Sequence, residues 1–185
     1  KIPKYKIYKN YIFKRSAYDA YIFYVLFNKD AHDLYELIYK RDSTPYTLQQ
    51  WALYKAYIED YSGAFADIDR AINMDENNFS IKNTRAVILF EANKSKKNTN
   101  AIASMSEAMN ILQQCFKSDK RRVYHAKKYA EFALYLANVL EDTQYLYQAK
   151  EWLENIIQKG ETTNRNIRNL LDDINRLIEK FFNKK

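Results

Sequence analysis

Residues 62–78 read SGAFADIDRAINMDENN, and how they are read decides the fold. Ala64, Ile68 and Ala71 are spaced four and then three residues apart, so they share one face of an α-helix. Asp67 and Asp69 flank that stripe. Two positions apart on a helix, their side chains diverge and cannot hold one ion between them. A calcium loop counted from Asp67 would need glycine at its sixth position and glutamate at its twelfth. Ile72 and Asn78 stand there instead. The stretch therefore reads as a short packing helix with small residues on its buried side.

The rest of the composition agrees with that helix. The chain has 185 residues, 47% of them hydrophobic, so it can bury a sizeable core. It has 2 glycines and 2 prolines. Sheet-rich folds spend those residues at their turns, so the expectation is an all-α protein. Aromatic residues make up 16% of the chain, which argues against disorder. The 17 tyrosines accompany a general richness in Lys, Asn and Ile and need no stacking role. A lone cysteine, Cys115, excludes an internal disulfide framework and a cysteine-based zinc site, and it is expected half-buried on a helix. The longest apolar run, residues 21–27, is far too short to span a bilayer, and no signal peptide is expected. A cytoplasmic protein with no membrane association is expected.

Helix signals recur along the chain. Helices are expected over residues 16–27 and 30–41. The next is capped by Thr44 with Pro45 at its first position, and it carries Trp51, Ala52, Ala56 and Tyr57. Gly63 is read as a tight turn before the partner helix. FSIKNTRAVILFEA, AIASMSEAMNILQQCF, VYHAKKYAEFALYLANVL and QYLYQAKEWLENIIQK follow, the last closing on Gly160 as a C′ glycine. A final helix, IRNLLDDINRLIEKFF, is expected to cap the array. The stripe of the second helix returns at Ala101, Met105 and Ala108, and again at Ala149, Leu153 and Ile156. Small residues on such a stripe let helices approach closely.

These residues carry a resemblance. WALYKAYIEDYSGAFADIDRAINMDENN resembles a tetratricopeptide repeat, with Trp51, Ala52, Ala56, Tyr57, Gly63, Ala64 and Ala71 at the family's signature positions. The usual closing proline is absent, and the stripes recur after 37 and 48 residues, not at a constant period. The resemblance implies antiparallel helix pairs stacked as a short α-solenoid, one repeat domain over residues 16–185 behind a basic segment 1–15. Residues 44–51, 77–92 and 123–134 are also similar in phrasing to the helical C-terminal regions of large bacterial anti-phage defence proteins. Those carry STAND-type NTPase or sirtuin-like NADase domains upstream. That likeness would make this chain a fragment of a larger protein, as its start without methionine also suggests, and a sensor or an assembly element.

No constellation supports catalysis. Two isolated glycines cannot build a phosphate loop, and no metal or cofactor site is expected. The histidines, His32 and His125, are far apart. Arg121 and His125 resemble the Arg…His pair of HEPN ribonucleases, but with three intervening residues they stand closer than that family's pattern. The expected function is non-catalytic protein or peptide binding. Its contact candidates are Tyr54, Tyr57, Arg85 and Lys128 on the first helices of pairs, and Arg121 and Arg122 in the basic stretch 117–128. The alternative is nucleic-acid contact. The net charge is +7, yet the first fifteen residues hold six basic and no acidic side chains, leaving 24 basic against 23 acidic elsewhere. Any phosphate contact is therefore expected at 1–15 and 117–128, not over the whole body.

Overall fold

A computed structural model describes residues 43–96, 98–120 and 122–183. The basic segment 1–15, the expected helices at 16–27 and 30–41, His32 and Arg121 lie outside the described residues. Among the described residues the protein is all-α. Its helices are α1 (Pro45–Tyr57), α2 (Tyr61–Met74), α3 (Phe79–Glu91), α4 (Thr99–Ser118), α5 (Arg122–Leu140), α6 (Gln144–Gln158) and α7 (Arg165–Phe182). None of them is long and apolar enough to cross a membrane. The chain divides into two compact units, Lys1–Ser95 and Lys96–Lys185.

Within each unit, consecutive helices pack on one another through short connections, so they run antiparallel. In the first unit α1 packs on α2, α2 on α3, and α1 also on α3. In the second, α4 packs on α5, α5 on α6, α6 on α7, and α5 also on α7. Each unit thus contains a helix hairpin whose first helix also meets the helix after it. That is the solenoid-like pattern of stacked pairs, and α7 closes the second unit.

Side-chain oxygens start most of the helices. Thr44 and Thr47 form a reciprocal capping box at α1, with Pro45 at N1. Asp60, Asn78, Asn98 and Asn164 each accept a backbone N–H in the first turn of α2, α3, α4 and α7. Gly160 ends α6 at φ +67°, with the N–H of Glu161 bonded to the carbonyl of Ile156. This is the C′ glycine the sequence marks.

Gly63 is not a turn. It is the third residue of α2. The chain reverses at Ile58–Asp60, where Glu59 takes φ +64° and closes the same pair of hydrogen bonds that Gly160 closes. Glu141 also takes a left-handed φ, +54°, after α5, where the N–H of Asp142 reaches the carbonyl of Leu136 at 3.4 Å instead. Gly63 is needed for proximity instead. A Cβ there would lie 2.2 Å from the Asp60 carboxylate and 3.0 Å from Cδ of Lys55.

All three small-residue stripes are buried. Ala64, Ile68 and Ala71 pack with Leu48, Ala52, Ile81 and Ile88 in the first unit. Ala101, Met105 and Ala108, and Ala149, Leu153 and Ile156, are likewise at most 1% exposed. Along α5, Ala126, Ala130, Ala133 and Ala137 form a seam with no exposure, which lets α4, α6 and α7 approach it. Cys115 is fully buried, not half-buried as its neighbours suggest.

The acidic pair of the opening stretch ties α2 to two different helices. Asp67 accepts from Lys55 Nζ of α1 at 2.6 Å. Asp69 accepts from Arg85 Nε of α3 at 2.8 Å. The first pair is mostly buried, with side chains 19% and 10% exposed, and the second is open, at 27% and 52%. Breaking a buried pair leaves a charge without compensation, whereas an open one is screened by water. Asp67→Ala should cost about 2–3 kcal/mol and Asp69→Ala under about 0.5 kcal/mol, read from urea unfolding. Equal costs would show that burial does not separate the two.

The left-handed residues give a second check. Glu59→Gly and Glu141→Gly should each stabilise the protein by up to about 1 kcal/mol, and Gly160→Ala should destabilise it by a similar amount. Melting temperatures should move in opposite directions for the same backbone conformation.

Candidate functional site

The basic stretch 117–128 crosses the α4–α5 connection, and the structure sorts its side chains into two groups. The first group is built into the fold. Asp119 caps the C-terminus of α4, and its Oδ2 lies 2.8 Å from Nε2 of His125 in the first turn of α5. An ionised carboxylate only accepts, so Nε2–H donates. His125 has no exposed surface, so its imidazole is a packing group behind the connection. Arg121, its expected partner in an Arg…His pair, lies outside the described residues.

Arg122 lies over the Phe116 ring, 4.5 Å from its centroid. Its guanidinium also reaches Glu161 at 3.8 Å, so the α4–α5 and α6–α7 connections lie side by side. Below it, Phe116 stacks on Trp152 with centroids 3.9 Å apart, and Trp152 meets Tyr129 at 4.6 Å. Tyr145 completes the column, edge-on to Tyr129. Burial, with the nearby Tyr145, pushes the Tyr129 hydroxyl well above the ordinary tyrosine range. Arg122 is thus the polar lid of an aromatic column, worth more by stacking than by its exposed ion pair. Lys127 and Lys128 both lean on Glu131.

The second group projects outward. Lys117 and Lys120 are exposed. At the same end of the unit, Lys159, Arg165 and Arg168 of the α6–α7 region are exposed too. Among the described residues none of these five takes part in an ion pair. Sequence reading found the first two and missed the other three, because more than thirty residues separate the two connections.

The remaining candidates are on the first unit. Tyr54 is 2% exposed and stacks on Trp51, so it is core. Arg85 is engaged by Asp69. Tyr57 is 59% exposed. It belongs to a row along α1, Tyr46, Gln50, Leu53 and Tyr57, spaced four, three and four residues apart. Tyr46 is 41% exposed, and Gln50 and Leu53 are half-buried. The sides of α1 facing its neighbours are taken by Lys55 toward α2 and by Gln49 toward α3, where Gln49 bonds to Ser80 and Thr84. Among the described residues, Tyr46 and Tyr57 are the exposed large side chains of this row.

Among the described residues, no three His, Cys, Asp or Glu side chains converge to hold a metal ion. No protein-family model, curated protein or solved structure matches this chain.

His125→Ala should destabilise the protein by about 2–3 kcal/mol, because it leaves the Asp119 carboxylate beside an empty interior site. Arg122→Ala should cost about 1 kcal/mol, mostly lost stacking. Denaturant midpoints measure both, and a neutral His125→Ala would mean that the pair is not structural.

Proposed function

We propose that this chain is a protein-interaction module of tetratricopeptide-like design, with the Tyr46–Gln50–Leu53–Tyr57 row of α1 as its contact surface for a protein or peptide. One observation carries the reading. The row presents two large exposed tyrosines around a half-buried leucine. Tyrosine is favoured at binding hot spots, since its rigid ring buries area at little entropic cost and its hydroxyl tolerates the wet rim. The small-residue stripes support the same reading. They put the binding energy of the fold into helix–helix contact and leave the first helix of the pair as a stiff platform.

The reading predicts a defined adduct when a photo-crosslinking residue replaces Gln50 and the protein is irradiated in lysate of its source cells. The captured protein, purified, should lose at least about tenfold in affinity to Tyr57→Ala, the size of a hot-spot loss. Adducts that form equally from Gln148 on α6, or affinity that ignores both Tyr46→Ala and Tyr57→Ala, would reject the row.

A further inference from the structure

We infer that the end of the second unit made by the α4–α5 and α6–α7 connections is a binding surface for single-stranded nucleic acid. Its helices alternate in direction, so these two connections share one end and the α5–α6 connection lies at the other. Six basic side chains gather at the first end: Lys117, Lys120, Arg122, Lys159, Arg165 and Arg168. The two connections themselves hold two acids, and both are engaged, Asp119 by His125 and Glu161 by Arg122. Lys117, Lys120, Lys159, Arg165 and Arg168 are exposed and have no ion pair among the described residues. The other end carries Glu141 and Asp142 in its connection, beside the exposed Lys96 and Lys180.

The apolar surface decides what kind of anion fits. An acidic protein partner would need hydrophobic anchors at the centre of its interface. The exposed large hydrophobics of this unit are Ile102, Tyr124, Val139, Tyr147 and Phe182. Four of them belong to the opposite end, at the start of α4, the end of α5, the start of α6 and the end of α7. The basic end has Tyr124 alone, 47% exposed on the first turn of α5. Several cations around one accessible ring make a backbone-tracking surface with a stacking platform, the combination that suits unpaired bases. Duplex reading would instead need a helix flank laid along a groove. Here the cations sit at the ends of four packed helices, α4 to α7.

The test uses the full chain and a fluorescent thymidine oligomer of about 20 nucleotides. Four to five phosphate contacts predict a log–log salt slope near −3 for a single strand. The variant Lys117→Glu, Lys120→Glu, Arg165→Glu, Arg168→Glu should weaken binding at least about tenfold and flatten that slope by about 2 or more. A control with the same charge change, Lys96→Glu, Lys150→Glu, Arg176→Glu, Lys180→Glu, should stay within about twofold of the parent at matched salt. The basic segment 1–15 is present in both, so its contribution cancels. Tyr124→Ala should cost about tenfold and Tyr124→Phe almost nothing, which needs no charge change and no refolding control beyond a melting curve. Equal losses in the two charge variants, an unchanged slope in the first, no binding by the parent at about 50 mM salt, or competition by polyglutamate as effective as by polythymidine would each overturn the inference. None of these outcomes bears on the α1 row.

Discussion

The first unit rests on a close approach at Gly63. With no Cβ there, the Asp60 carboxylate folds over the start of α2 and accepts the Gly63 N–H at 2.9 Å. The stem of Lys55 runs past the same point and delivers its ammonium to Asp67. One missing methyl group therefore allows both a helix cap and a mostly buried ion pair. The helix so placed brings Ala64, Ile68 and Ala71 against Ala52, Leu48 and Ile88, and small residues on both sides keep the helices near. Hydrophobic burial stabilises this contact without fixing its rotation. The ion pairs to α1 and α3 add the rotation, since one-residue differences along α2 would send Asp67 and Asp69 to the wrong neighbours.

Buried polar groups do similar work elsewhere. Gln49 donates to the Thr84 hydroxyl at 2.6 Å and to Ser80, bridging α1 and α3. His125 and Asp119 lock the α4–α5 connection in the second unit. An apolar core tolerates slippage, whereas a buried donor without its acceptor costs about 1–3 kcal/mol. These groups thus select one register among several that hydrophobic packing alone would accept.

Much of the fold was legible in the sequence because helix physics is local. The stripes at Ala64, Ala101 and Ala149, the Thr44–Pro45 start and the Gly160 stop follow from spacing and capping, and each stands where spacing puts it. The Glu59 and Glu141 turns were not legible. Nothing in a glutamate announces φ > 0, and the only glycine nearby, Gly63, drew the turn to itself. The site was less legible than the fold for a related reason. Whether Arg122, Lys128 or Arg85 is spent on a neighbour depends on Glu161, Glu131 and Asp69, and only Glu131 lies within one helical turn of its partner. Tyr54 and Tyr57 look alike in sequence, yet three residues of helical rotation put one in the core and the other in solvent.

That distinction between spent and unspent groups is the best guide to function in a chain of this kind. Lys127 and Lys128 share Glu131, and Lys150 has Glu154, so the protein supplies acids to cations where structure alone is served. It supplies none to Lys117, Lys120, Lys159, Arg165 and Arg168 among the described residues, although Arg165 and Arg168 open α7 and Lys120 precedes α5. Cations at helix N-termini oppose the macrodipole, and like charges within a Debye length of about 10 Å repel. Each term is a few tenths of a kcal/mol. The dipole term opposes Lys120, Arg165 and Arg168 but favours Lys117 and Lys159 at helix C-termini, so repulsion is the cost all five share. Five exposed cations without an ion pair among the described residues concentrate a positive field at one end of the unit, and that field is the physical basis of the inference that this end takes a polyanion.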